Sequence, residues 1–145
     1  MQTTLKSDVV FEGTGLHSGA PVCMVLRPAP ARTGIVFRRT DVTGRPKLQA
    51  RWDQVIVSPL NTRLTNAEGV TVSTIEHVMA APAGCGVHNA LIDIDGPEVP
   101  ILDGSAAVFV RGIVNVGVTR LAAPLRATEI LKDVSVFEGA AFAQL

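Results

Sequence analysis

Alternating apolar and polar positions through the first seventy residues predict short strands separated by turns. The run PVCMVLRP, Pro21 to Pro28, sets Val22, Met24 and Leu26 on one face and Cys23, Val25 and Arg27 on the other. Thr33 to Asp41 continues as a second strand. Pro28, Pro30 and Gly34 punctuate the connection, so the two read as a hairpin. A further pair of strands is expected in NTRLTNAEGVTVST around a turn at Asn66 to Gly69. In HNALIDIDG, Ala90, Ile92 and Ile94 alternate with Leu91, Asp93 and Asp95, the pattern of another strand.

Two segments favour helix, Thr74 to about Ala81 and Ser105 to about Val116. The first opens on Ser73-x-x-Glu76, which has the form of a capping box. Pro82 cannot donate to the Val78 carbonyl, so this helix is expected to end early or kink. For the second, Asp103 or Ser105 is the candidate N-cap, although Val108, Val110, Ile113, Val114 and Val116 are β-branched and also suit a buried strand. Strands mixed with two helices imply an α+β fold, a two-layer α/β sandwich in which a sheet carries both helices. The expected organisation is an N-terminal domain over 1–118, a linker over 119–128 and the start of a second domain over 129–145.

Charge removes one class of function. Thirteen basic residues balance thirteen acidic ones, and basic clusters are as short as Arg38-Arg39, which gives nucleic acid binding no electrostatic support. Mean hydropathy is high at +0.33. Yet Gly, Pro or charge interrupts every apolar run before the roughly 20 residues that span a bilayer, so no transmembrane segment is expected. The N-terminus lacks the apolar centre of an export signal, and a cytoplasmic location is expected. Cys23 and Cys85 have no metal-ligand spacing and read as thiols serving as small buried hydrophobes.

The strongest candidates for chemistry are Glu76 and His77. A neutral imidazole ligates Zn²⁺, and an adjacent carboxylate can take a proton from a metal-bound water. The pair is not HExxH, and no second His follows at i+4. Spacing alone favours capping for Glu76 and a structural role for His77. His88, next to Asn89, reads as a turn or strand-entry residue. His17 lies in GTGLHSG, whose glycines permit a tight turn between strands. A strand, not a helix, follows this loop, which argues against a phosphate cradle.

The blocks GTGLHSG, LRPAPARTGIVFRRTD, VSTIEHVMAA, GCGVHNALIDIDGPEVPILDGSAA and ILKDVSVFEG, in this order, resemble the zinc-dependent UDP-3-O-acyl-N-acetylglucosamine deacetylases of lipid A biosynthesis in Gram-negative bacteria. The resemblance covers nearly all of the chain. It implies an amidase that removes the N-acetyl group from a UDP-linked, 3-O-acylated glucosamine, built from two similar α/β domains with zinc between them. By the same resemblance Glu76 is the general base and His77 a zinc ligand, while Leu16, Leu60 and Asn61 approach the substrate. The family takes its remaining zinc ligands from a second domain, and this chain holds only His17, His77 and His88. The chain is therefore expected to be the N-terminal half of such an enzyme, to carry an incomplete Zn²⁺ site, to be inactive alone and to self-associate through an uncovered apolar face. The alternative expectation is a non-catalytic module that keeps the fold to bind a nucleotide sugar or another protein.

Overall fold

A computed structural model describes residues 1–145. The strand alternation appears as one-sided burial: Val22, Met24 and Leu26 turn inward from β3 (Pro21–Pro28), as Ala90, Ile92 and Ile94 do from β9 (Ala90–Ile94). These strands belong to a five-stranded sheet with β2 (Val9–Thr14), β4 (Ile35–Arg39) and β5 (Lys47–Gln49), in the order β2-β3-β9-β4-β5. All neighbours are antiparallel except β4 and β9, which run parallel. The expected hairpin of β3 and β4 does not form. β9 lies between them, pairing Met24 with Ile94 on one side and Phe37 with Ile92 on the other.

The remaining strands are short. β1 (Thr3–Leu5) pairs with β10 (Val118–Arg120), so the first residues of the stretch read as a linker extend a small second sheet. A 3₁₀ turn at Trp52–Gln54 leads into β6 (Val55–Ile56), which joins β7 (Arg63–Thr65) and β8 (Thr71–Ser73) in a three-stranded sheet. The β7–β8 hairpin turns at Asn66, whose side chain accepts the Glu68 and Val70 amides, an Asx turn of the kind this residue favours. β11 (Ser135–Glu138) and β12 (Ala141–Gln144) form a separate hairpin with every residue exposed.

Two helices complete an α+β sandwich. α1 (Glu76–Gly84) and α2 (Ala107–Val116) pack on each other, and α2 also rests on β2. Phe109 of α2 meets Phe11 of β2 edge to face, with ring centroids 5.0 Å apart, and both rings are buried. Each fully buried side chain of this size contributes about 1.5–3 kcal/mol, so this pair anchors α2 on the sheet. The opposite sheet face carries an ion-pair cluster beside Val25, Val36 and Leu91: Asp93 takes Arg38 Nε at 2.6 Å and Arg27 Nε at 2.7 Å. Burial pushes its carboxyl up, but the two guanidinium groups outweigh this and hold it below the usual range.

α1 runs past Pro82 instead of ending before it. The proline ring is buried, and the chain closes the turn beyond it through Cys85 N–H to Ala81 O at 2.9 Å and Val87 N–H to Pro82 O at 2.8 Å. Gly86, at φ 65°, then turns the chain toward β9 with the left-handed residue common after helices. In α2 the Ser105 hydroxyl accepts the Ala107 amide at 3.1 Å, and the β-branched run is helical because its buried positions Phe109 and Ile113 share one face. Cys23 and Cys85 are only half-buried, in place of the full burial expected.

Candidate active-site half

The helix that carries Glu76 and His77 starts from a strained residue. Thr74, between β8 and α1, has φ 59°, a left-handed conformation that costs an L-residue about 1–2 kcal/mol and is rare for a β-branched side chain. The strain follows from a change of direction. Ser73 is still in register with the segment beyond β9, giving its N–H to Pro97 O and accepting from Val99 N–H, and only Thr74 and the cap residue Ile75 are left to enter the helix.

This geometry rules out the capping box. The cap position falls on Ile75 and makes no side-chain hydrogen bond, while the Ser73 hydroxyl accepts from Arg63 Nε at 2.9 Å. Glu76 instead turns to the loop before β7, where its Oε2 accepts the Thr62 amide at 3.0 Å. Ile75 N–H bonds the Thr62 carbonyl, so one residue grips the helix start at two points. Glu76 and His77 are both half-buried. Oε1 of Glu76 and the His77 ring accept or donate no hydrogen bond within the chain, which leaves both free for chemistry.

Beside them lies a polar cluster centred on a residue the sequence reading passed over. Glu98 is 4% exposed, and its carboxylate accepts from His17 N–H at 3.0 Å, Ser18 N–H at 2.8 Å and the Thr74 hydroxyl at 2.8 Å, with His17 Nδ1 also 2.8 Å away. Burial alone would raise its pKa. The Ser18 and His17 hydrogen bonds reverse this and bring it down to about 2, so the group is ionised at neutral pH. Asn61 Nδ2 lies 3.3 Å from both Thr74 Oγ1 and His17 Nδ1, and Ser58 donates to Asn61 Oδ1 at 2.8 Å. The only local hint of Glu98 was a lone carboxylate between Pro97 and Pro100 in an otherwise apolar stretch.

The turn holding His17, from Gly15 to Gly19, joins β2 to β3, as its glycines implied. His17, Ser18, Asn61, Arg63, Ser73 and Glu98 line a mostly polar cavity of about 340 Å³, with Pro97 its one apolar wall residue. Of the other sequence-derived candidates, Asn61 belongs to this cluster, whereas Leu16 and Leu60 sit exposed beside it at 58% and 75%. His88 stands apart, bonded to the Thr3 hydroxyl at 2.7 Å. No three His, Cys, Asp or Glu side chains converge to hold a metal ion. The donors present therefore do not fit a complete zinc centre, for which three protein ligands are usual.

The model of the UDP-3-O-acyl N-acetylglycosamine deacetylase (LpxC) family matches residues 2–145. The chain belongs to this family. Among curated relatives named UDP-3-O-acyl-N-acetylglucosamine deacetylase, that of Geotalea uraniireducens is 48% identical over 138 residues, 95% of this chain and 45% of the relative. That of Pseudoalteromonas atlantica is 44% identical over 144 residues, 99% of the chain and 47% of the relative. That of Vibrio cholerae is 46% identical over 143 residues, again 99% and 47%. This deacetylase-family chain thus spans about half the length of the curated relatives it matches. The match takes in the exposed β11–β12 hairpin as well as the sandwich.

Proposed function

We propose that this chain is the N-terminal half of a cytoplasmic zinc-dependent deacetylase that hydrolyses the N-acetyl group of UDP-3-O-acyl-N-acetylglucosamine in lipid A biosynthesis of Gram-negative bacteria. The observation that carries the reading is the pairing of Glu76 and His77 at the start of α1, one carboxylate oxygen anchored by Thr62 and the other free, in a chain of this family. Glu76 is the general base. It takes the proton of the water that adds to the acetamide carbonyl, and that proton leaves on the glucosamine nitrogen as the C–N bond breaks and acetate departs. Fixing one oxygen to a backbone amide spares the carboxylate a reorientation at that moment.

His77 is one ligand of a zinc ion whose other ligands come from the second half of the protein. Leu16, Leu60 and Asn61 face the acyl and sugar parts of the substrate. No helix here is long and apolar enough to cross a membrane. The exposed side chains Val136, Phe137 and Phe142 on the β11–β12 hairpin are an apolar surface for that second half, or for self-association in its absence.

Acetate release from the UDP-sugar tests the proposal, measured on the purified chain and on the chain joined to the complementary half of a family member. The chain alone should show no turnover at stoichiometric zinc. The joined protein should turn over and lose activity on Glu76→Gln, and His77→Ala should lower its zinc content. A joined, folded protein that binds the nucleotide sugar without releasing acetate would instead make this a binding module.

A further inference from the structure

We infer that Glu98 is a positioning residue for Glu76 and His77, acting through Thr74: its carboxylate clamps Thr74 in the left-handed conformation from which α1 departs. The inference rests on the catalytic reading of Glu76 and His77.

The clamp has three parts. Thr74 donates its hydroxyl to Glu98 Oε1 at 2.8 Å, a bond buried at both ends. The flanking backbone is locked to the same segment, since Ser73 bonds Pro97 and Val99 on either side of Glu98. Glu98 itself is held in place by the His17 and Ser18 amides, which bond Oε1 and Oε2 respectively. That approach requires Gly15 to be glycine, for a Cβ there would collide with the Glu98 carboxylate and the Ser18 hydroxyl.

Only Ile75 separates Thr74 from Glu76. Backbone strain of this kind persists only where the surroundings over-determine it, and here one ionised side chain supplies the only hydrogen bond that the Thr74 hydroxyl donates. If the clamp opens, Thr74 relaxes toward negative φ and the first turn of α1 rotates with it. The Thr62 contacts with Glu76 and Ile75 are then the next to weaken.

Amide hydrogen exchange on the chain separates this from a general stabilising role. In Glu98→Gln, exchange should quicken by about tenfold or more at Ile75 and Met79, which bond Thr62 and Ile75. Thr40, bonded to Ile94 at the sheet, should be unchanged. Adding Thr74→Gly, which takes positive φ without strain, should return Ile75 and Met79 toward the parent rates. Uniform acceleration at all three amides, or no rescue by glycine, overturns the inference. In the joined deacetylase, Glu98→Gln should lower kcat by about 100-fold, the scale of a misplacement near 1 Å, with little change in KM, and Thr74→Gly should recover part of it. Equal losses with and without Thr74→Gly also overturn it. A joined parent protein that shows no turnover refutes the deacetylase reading alone, because the exchange result decides the clamp independently.

Discussion

Acidification from pH 7 to pH 3 should remove about 2 kcal/mol of folding stability through Glu98 alone. The carboxyl titrates at about 2 in the folded chain against an ordinary value of 4.5, which amounts to about 3 kcal/mol of stabilisation at neutral pH. The folded pKa is the lower one, so the unfolded chain binds the proton first. The contribution is complete above pH 4.5 and falls away as pH drops toward 2, with about 1.4 kcal/mol left at pH 3. Asp41 and Asp93 are also held low by arginines, and their titration adds to the acid loss of the parent. Comparison with Glu98→Gln cancels those terms, since glutamine keeps the size and an acceptor but has no proton to gain. Urea unfolding of both proteins at pH 7, 5 and 3 gives the result. The stability gap between parent and variant should narrow by about 2 kcal/mol between pH 7 and pH 3, and most of the narrowing should fall below pH 5. A gap that stays constant across the series would refute the assignment of an ionised, strongly hydrogen-bonded Glu98.

Gly112→Val should cost about 1–3 kcal/mol of stability by overpacking, because a Cβ at Gly112 comes within 2.6 Å of the Phe11 ring and Phe109 pins that ring in place; thermal unfolding without loss would show that α2 can lift off β2. Asp93→Asn should cost about 1–3 kcal/mol by removing the charge between Arg27 and Arg38, and the loss measured in urea should shrink as pH falls below the ordinary aspartate value of 3.8, where the unfolded parent gains its proton before the folded one. Pro82→Ala should change stability by less than about 1 kcal/mol. The regained helix hydrogen bond and the relief of ring crowding, together worth up to about 3 kcal/mol, are offset by about 1.6 kcal/mol of lost methylene burial and by the greater freedom of the unfolded chain. A calorimetric shift well beyond this would mean that the ring packs better, or worse, than its burial implies.

The faces of the strands were legible because burial follows a two-residue period: Val22, Met24 and Leu26 needed nothing beyond their neighbours in the chain. Strand order was not legible in the same way. A short connection between β3 and β4 argued for a hairpin, but β9 supplies Ala90, Ile92 and Ile94 to an inner face that both strands share, and that gain is invisible locally. The start of α1 misled for a related reason. Ser73-x-x-Glu76 has the spacing of a capping box, yet Ser73 is committed to Pro97 and Val99 and Thr74 bends the backbone, so the hydroxyl never reaches the helix amides. Glu98 is the extreme case. Its partners His17 and Ser18 lie eighty or so positions earlier, and no pattern within its own segment announces them. The proposal of Glu76 and His77 came from family resemblance more than from physics, since their own spacing favoured structural roles.

The insertion of β9 between β3 and β4 has a consequence for biosynthesis. Both strands leave the ribosome with an unpaired edge, and Ile35 waits for Ala90 for roughly 3–10 s at typical elongation rates. During that interval the chain offers two open, apolar-faced strand edges, the kind of template that recruits other chains. The sheet becomes closed to strangers only when its central strand arrives from far along the sequence, a slow, non-local step. Translation rate and chaperone supply should therefore influence soluble yield through the passage up to Ile94 more than through anything that follows it.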